Sequence, residues 1–256
     1  MTAFDRDRGV DPAEVARFAR QAERWWDPEG EAWPLHRINP LRLQFMRDRL
    51  AGHFGRDPNA SRPFAGLDLV DIGCGAGLVT EPMARLGFAV TGTDASGEML
   101  DVARAHAGAG GLDIAYRDLT AEALAAEGVR FDAVLALEIV EHVPDPDAFL
   151  EAAAMLVKPG GTFVAGTLNR TWRAFLLGIV AAEGALGWVP RGTHDWRRFK
   201  KPSQMAASLR AAGLHLEALG GITYDPLRNR WALTRNIAVN YLLFATRPRG
   251  VSNSPP

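Results

Sequence analysis

The chain has a single cysteine, Cys74, in 256 residues. One thiol excludes an internal disulfide framework and fits a reducing compartment. Charge of either sign is not in excess: 29 Lys and Arg stand against 30 Asp and Glu, a formal net charge of −1. Without a basic surplus there is no electrostatic footprint for nucleic acid. There is no run of eighteen clean apolar residues, which argues against a spanning helix. The opening MTAFDRDRGV is polar and charged, so no signal peptide and a cytoplasmic location are expected. Internal repeats and low-complexity blocks are missing too. What remains, at 47% hydrophobic and 23% charged residues, is a globular composition with chain enough to bury a core without staples.

Asp11-Pro12-Ala13-Glu14 reads as an N-cap, a first-turn proline and a capping-box acid. Val15, Phe18, Ala22 and Trp25 follow at three- and four-residue spacing and give one apolar face. EGEAWPLHRINPLR is expected to be irregular, with a second helix near Leu43–Phe54. RDPNASRPFAG is turn chemistry and closes an N-terminal helical extension, a cap or substrate lid over residues 1–64. Across 65–248 the segments LDLVDIG, FAVTGTD, LDIAYRD, FDAVLALE and TFVAGTLN read as strands. Helical patterns lie at Leu78–Leu86, Ser96–His106 and Asp147–Val157, the last ended by Lys158-Pro159-Gly160-Gly161. A helix from Pro202 to Ala212 stops at Gly213, and two late strands fall near Leu214–Gly221 and Ile237–Thr246. This alternation predicts an α/β fold, a parallel sheet with helices on both faces. Residues 249–256 read as a disordered tail.

LVDIGCGAG is the most informative segment. A strand reaches Asp71, then Gly73, Gly75 and Gly77 precede a helix, and glycine serves where backbone must turn tightly against a ligand. The spacing G-x-G-x-G differs from the G-x-G-x-x-G that seats a pyrophosphate, and Asp71 repels an anion. A ligand with a cationic group and no phosphate suits the loop, and S-adenosylmethionine is such a ligand. Asp94, twenty-one residues after Gly73 at a strand end, can accept both ribose hydroxyls. Asp118 can meet the adenine amino group, with Leu119 on the ring face. Cys74 reads as a small loop residue.

FDAVLALEIVEHVPDP puts Glu138, Glu141 and His142 just past a strand C-terminus, where open α/β sheets bind ligands. If the stretch is a helical turn, the three share a face and can converge. Three readings stay open. The trio holds a divalent metal, Mg²⁺ or Zn²⁺, that acidifies the attacking hydroxyl; His142 alone is a general base; or the stretch is a solvated acidic loop with a capping histidine.

The strings WWDPEGEAWPLHRINPLR, DIGCGAG, LEIVEHVPDP, KPGGTFVAGTLNR and GTHDWRRFKKPSQM resemble the ubiquinone-biosynthesis O-methyltransferases, from about Phe18 to Thr246. The glycine loop alone indicates only a class I methyltransferase; LHRINPLR and GTHDW narrow it to this family. The resemblance implies a class I Rossmann-like fold, with a mixed sheet of about seven strands and an N-terminal helical cap. It implies two O-methylations, on a polyprenyl catechol and on a demethylated ubiquinol, with S-adenosylmethionine as donor. The family's donor positions fall on Arg42, Gly73, Asp94 and Leu137, Arg42 reaching the methionine carboxylate. Its divalent-metal site falls on Glu138, Glu141 and His142. It also implies a ubiquinone-biosynthesis complex as a partner. A bacterial member carries glycine where this chain has Ala76, a change small enough to leave donor binding intact.

TWRAFLLGIVAAEGALGWVPR follows the fifth strand, an unusual place for so apolar an insertion (171–191). Phe175, Leu176, Ile179, Val180 and Leu186 fall near helical spacing, Arg173, Trp188 and Arg191 flank them, and Glu183 interrupts. Trp172–Arg191 reads as an interfacial helix on an anionic membrane, peripheral on its inner face, or else as a core helix or lid. His194 caps a turn with Asp195 or stands over the substrate hydroxyl as an alternative base. Arg197, Arg198, Lys200 and Lys201 form a solvated or lipid-facing basic run. Trp25, Trp26 and Trp33 read as core or lid packing.

Overall fold

The fourth strand shows why the sheet lies at the centre of the molecule. In β4 (Phe131–Leu137), Ala133, Leu135 and Leu137 join one apolar cluster, Val134 and Ala136 another, and all five are buried. A strand covered on both faces must be apolar at every position, the signature of a parallel sheet between helix layers. The structure is a computed structural model that describes residues 10–20, 22–30, 32–171, 174, 199–225 and 228–249.

β1 (Asp68–Ile72), β2 (Ala89–Asp94), β3 (Ile114–Asp118), β4 and β5 (Val157–Leu168) run parallel, in the order β3-β2-β1-β4-β5. β8 (Asn240–Thr246) pairs antiparallel with β5, and β6 (His215–Asp225) with β8. β7 (Arg230–Thr234) adds an edge to β6, so the sheet has eight strands where about seven were expected. In that short strand Trp231 and Leu233 alternate onto the core that β6 already covers. The α-helices with bounds among the described residues are α1 (Pro12–Ala19), α2 (Trp33–Phe54), α3 (Thr80–Arg85), α4 (Gly97–Ala109), α5 (Ala121–Ala126), α6 (Pro146–Met155) and α7 (Pro202–Ala211). α5 was absent from the sequence reading, and Lys158–Gly161 lies within β5 rather than before it. One core lies under α5, α6 and α7, with Leu124, Phe149, Leu150 and Leu209 buried in it. The other lies under α2 and α3, with Phe45, Met46, Leu50 and Met83.

The main departure from the sequence reading is the length of α2. EGEAWPLHRINPLR was expected to be irregular before Leu43, yet the helix runs unbroken from Trp33 through Pro34 and Pro40. Pro34 sits in the first turn, where no N–H is needed. Pro40 is interior and costs about 3 kcal/mol through its lost hydrogen bond and ring clash. Phe45, Met46, Leu50 and Ala51, with Ile38 and Leu41 beside them, offset that cost by covering the sheet. The extra turns, nearly three, carry Asn39 and Arg42 to the carboxyl ends of the strands. Leu50→Ala should therefore destabilise the whole protein by about 2–5 kcal/mol in urea denaturation. A loss under about 1 kcal/mol would mean that α2 is an appendage and not part of this core.

Candidate active site

β1 ends at Ile72, and the glycine loop doubles back at once. The Gly73 and Cys74 N–H groups both donate to Thr93 O, at 2.8 and 2.9 Å. Gly73 has φ +69°, and a Cβ there would lie 2.8 Å from Ile139 Cδ1. Gly77 has φ +92°, with room for a Cβ filled by the Tyr116 hydroxyl at 2.6 Å. The loop is closed by carboxylates at both ends. Asp71 is buried and accepts from the Thr80 hydroxyl at 2.7 Å, which ties β1 to the start of α3. Asp94 accepts from the Gly75 N–H at 2.8 Å and the Ser96 N–H at 2.9 Å, so one side chain joins the loop to the cap of α4. Burial raises the carboxyl pKa of both; the two backbone N–H bonds oppose the rise at Asp94. Asp118 stands beside Asp94 in the β2–β3 register and is exposed, with Leu119 half-buried next to it. Leu137 ends β4 and is buried. These residues line up on adjacent strand ends as expected, and the set fits a donor with a ribose and a cationic head.

A cover from the N-terminus lies over this loop. Phe18, Trp25 and Trp26 pack with Ala22, Ala76 and Met99. The Trp26 indole N–H donates to Ala76 O in the loop, at 2.9 Å. Its ring stacks on His106 of α4, 3.5 Å between centroids and 4° between planes. His106 Nδ1 in turn lies 2.6 Å from the buried Glu81. Trp25 and Trp26 pack over the loop, and Trp26 was not foreseen as a contact to the loop itself.

The acidic stretch after β4 departs from the expectation. Glu138 has φ +52°, a left-handed conformation that few non-glycine residues adopt. The chain then makes a turn, closed by His142 N–H to Ile139 O at 2.9 Å, and not a helical face. The three side chains part. Glu138 pairs with Arg42, whose guanidinium is buried. Glu141 is buried and accepts from Thr167 Oγ1 at 2.8 Å. His142 Nδ1 is 2.9 Å from Glu14 of α1, and Phe18 meets its ring edge-on at 5.2 Å. Among the described residues no three His, Cys, Asp or Glu side chains are grouped to hold a metal ion. The trio does not fit a divalent cation as arranged here, because each side chain is committed elsewhere and a guanidinium occupies Glu138. Glu14 was read only as a capping acid; its 128-residue separation from His142 left no local signal. Arg42 reaches the site as expected, but its partner here is Glu138.

His194, Asp195, Arg197, Arg198 and the stretch 175–191 lie outside the described residues. Of the basic run, Lys200 is ion-paired with Asp147, and Lys201 caps α7. A cavity of about 310 Å³ opens beside this region, lined by Val143, Pro144, Pro146, Arg170, Phe199 and Lys200, with Gln204.

The methyltransferase domain family matches residues 70–165. A ubiquinone biosynthesis O-methyltransferase of Parvibaculum lavamentivorans is 50% identical over 240 residues, 94% of this chain and 95% of that one. One from Paramagnetospirillum magneticum is 51% identical over 92% of this chain and 94% of its own. This chain belongs to the ubiquinone biosynthesis O-methyltransferases. It is thus an S-adenosylmethionine-dependent O-methyltransferase of ubiquinone biosynthesis. Magnesium protoporphyrin IX methyltransferase from Synechocystis PCC 6803, solved with bound SAH, shares the fold. Its TM-score is 0.61 at 20% identity, over 91% of this chain and 94% of that one.

Two outcomes follow for this O-methyltransferase site. Gly73→Ala should weaken S-adenosylhomocysteine binding by more than about tenfold in calorimetry, since φ and Ile139 both oppose the methyl. The second concerns pH. Burial pushes Asp71 up to about 7 from 3.8. Between those values the folded protein keeps a proton that the unfolded chain has released, so stability falls as pH rises through the window. Asp71→Asn should flatten that fall in urea midpoints taken at pH 5 and 7.5. Equal slopes in both proteins would show that Asp71 is already ionised when folded.

Proposed function

We propose that the enzyme methylates a phenolic hydroxyl on two lipid-tailed rings, a polyprenyl catechol and a demethylated ubiquinol, with His142 as general base. The His142–Glu14 pair is the observation that carries this. A phenolic hydroxyl with a pKa near 10 is protonated at neutral pH, so something must take its proton. A carboxylate on Nδ1 holds the imidazole in the tautomer that leaves Nε2 free to accept. Such a base is worth about 10²–10⁴ in rate. Arg42 keeps Glu138 in place, and Asp94 with the glycine loop orients the donor. When bound, S-adenosylmethionine supplies a methyl carbon that leaves sulfur as it bonds to the phenolate oxygen, yielding the neutral thioether. The protein's remaining work is alignment, which can lower the barrier by about 7–11 kcal/mol.

The test is transfer of labelled methyl to a prenylated catechol, with and without chelator, across pH 6–9. His142→Ala should lower kcat by about 10²–10⁴-fold while S-adenosylhomocysteine binding holds. Activity lost to chelator and restored by Mg²⁺ or Zn²⁺ would instead give Glu138, Glu141 and His142 to a cation.

The same reading sets residues 172–191 on an anionic lipid surface at the inner face of the membrane, within a ubiquinone-biosynthesis assembly. A substrate with a polyprenyl tail supports it. Among the described residues no helix is long and apolar enough to cross a membrane. The wild type should co-sediment with anionic liposomes and a Phe175→Asp, Ile179→Asp variant should not; equal co-sedimentation refutes the contact.

A further inference from the structure

Among the described residues, two buried acceptor atoms near the end of β5 find no donor. Asn169 is 5% exposed and Glu141 4%, and neither Asn169 Oδ1 nor Glu141 Oε1 has a hydrogen-bond partner there. Buried acceptors are nearly always paired, and an orphan is costly. Both belong to one face of the sheet. Thr167 donates to the other Glu141 oxygen, Oε2, at 2.8 Å. The chain stays extended past Leu168, because the Asn169 N–H donates to Val239 O at 2.8 Å, continuing the Leu168–Asn240 pairing. Residues two apart on extended chain share a face, so Asn169 stands on the same side as Thr167 and its glutamate. The amide's orientation is settled by its other end: Nδ2 donates to Ile237 O at 2.7 Å, which a flipped amide would lose.

We infer that Asn169 is a specificity-determining residue for a ring with two adjacent hydroxyls. Its Oδ1 accepts from the hydroxyl beside the one that is methylated, while the reacting hydroxyl approaches Glu141 and His142. Asn169 Oδ1 calls for a donor, and an ortho-dihydroxy ring brings one in its second hydroxyl while the first gives its proton to His142. The same oxygen distinguishes a quinol from its quinone. It faces an O–H in the reduced ring and a carbonyl in the oxidised one, and two acceptors repel. This rests on the phenolic reading above and adds the means by which the ring is recognised.

The experiment compares kcat/KM for a short-prenyl catechol and for the phenol with the same tail but no second hydroxyl. Sites built around a substrate hydroxyl reject the analogue lacking it, so the wild type should favour the catechol by at least about 100-fold. Asn169→Ala should lose at least about tenfold on the catechol and under about threefold on the phenol, with S-adenosylhomocysteine binding unchanged. Asn169→Ser, which keeps a hydroxyl at the position, should fall between and stands in if the alanine variant does not fold. A preference that survives Asn169→Ala overturns the inference and leaves the phenolic reading intact. Equal use of catechol and phenol by the wild type overturns it without any variant. Transfer to neither ring, with the donor still bound, overturns the phenolic reading itself.

Discussion

The left-handed turn at Glu138 decides how the site is assembled. Such a conformation costs about 1–3 kcal/mol at a non-glycine residue and persists only where its surroundings hold it. Here Arg42 holds the side chain, and the Glu138 N–H donates to Gly166 O at 2.7 Å. On a helical turn Glu138, Glu141 and His142 would share a face. The turn sends them instead to three elements: α2, β5 and α1. Ile139, the next residue, lies against the Gly73 position, so the same turn also bounds the donor loop.

Charge in this region follows from burial more than from net composition. Glu141 is pushed up to about 7 by burial and by the neighbouring carboxylate of Glu138. Asp71 is raised to the same range chiefly by burial, with the charge of Asp94 adding to it, against its bond to Thr80. A chain with almost no net charge thus keeps two strand-end carboxyls poised to ionise near neutral pH. A cation delivered to the loop would favour their charged forms.

The strands and the glycine loop were legible because the physics there is local. An apolar run flanked by turn residues is a strand whatever it packs against; Gly73 and Asp94 follow from the loop and a strand end, while Leu137 rested on the family resemblance. α2 was misread because proline is a local signal, and here the packing of Phe45, Met46 and Leu50 outweighs it. The metal trio parts for a related reason: spacing implies convergence only if the backbone is helical, and nothing in LEIVEHVPDP announces a left-handed glutamate. The contacts of Glu14 and Trp26 lay beyond reach, because each partner is far along the chain.

Glu14 and Trp26 belong to one short stretch, the first touching the histidine after β4 and the second the carbonyl of Ala76. Any displacement of that stretch wide enough to bare the glycine loop also strips the carboxylate from the imidazole. On the proposed assignment of His142 as base, donor exchange and proton acceptance are then mutually exclusive states of one clasp. Such an enzyme is armed only while the methyl source is sealed inside, away from competing nucleophiles in the surrounding water.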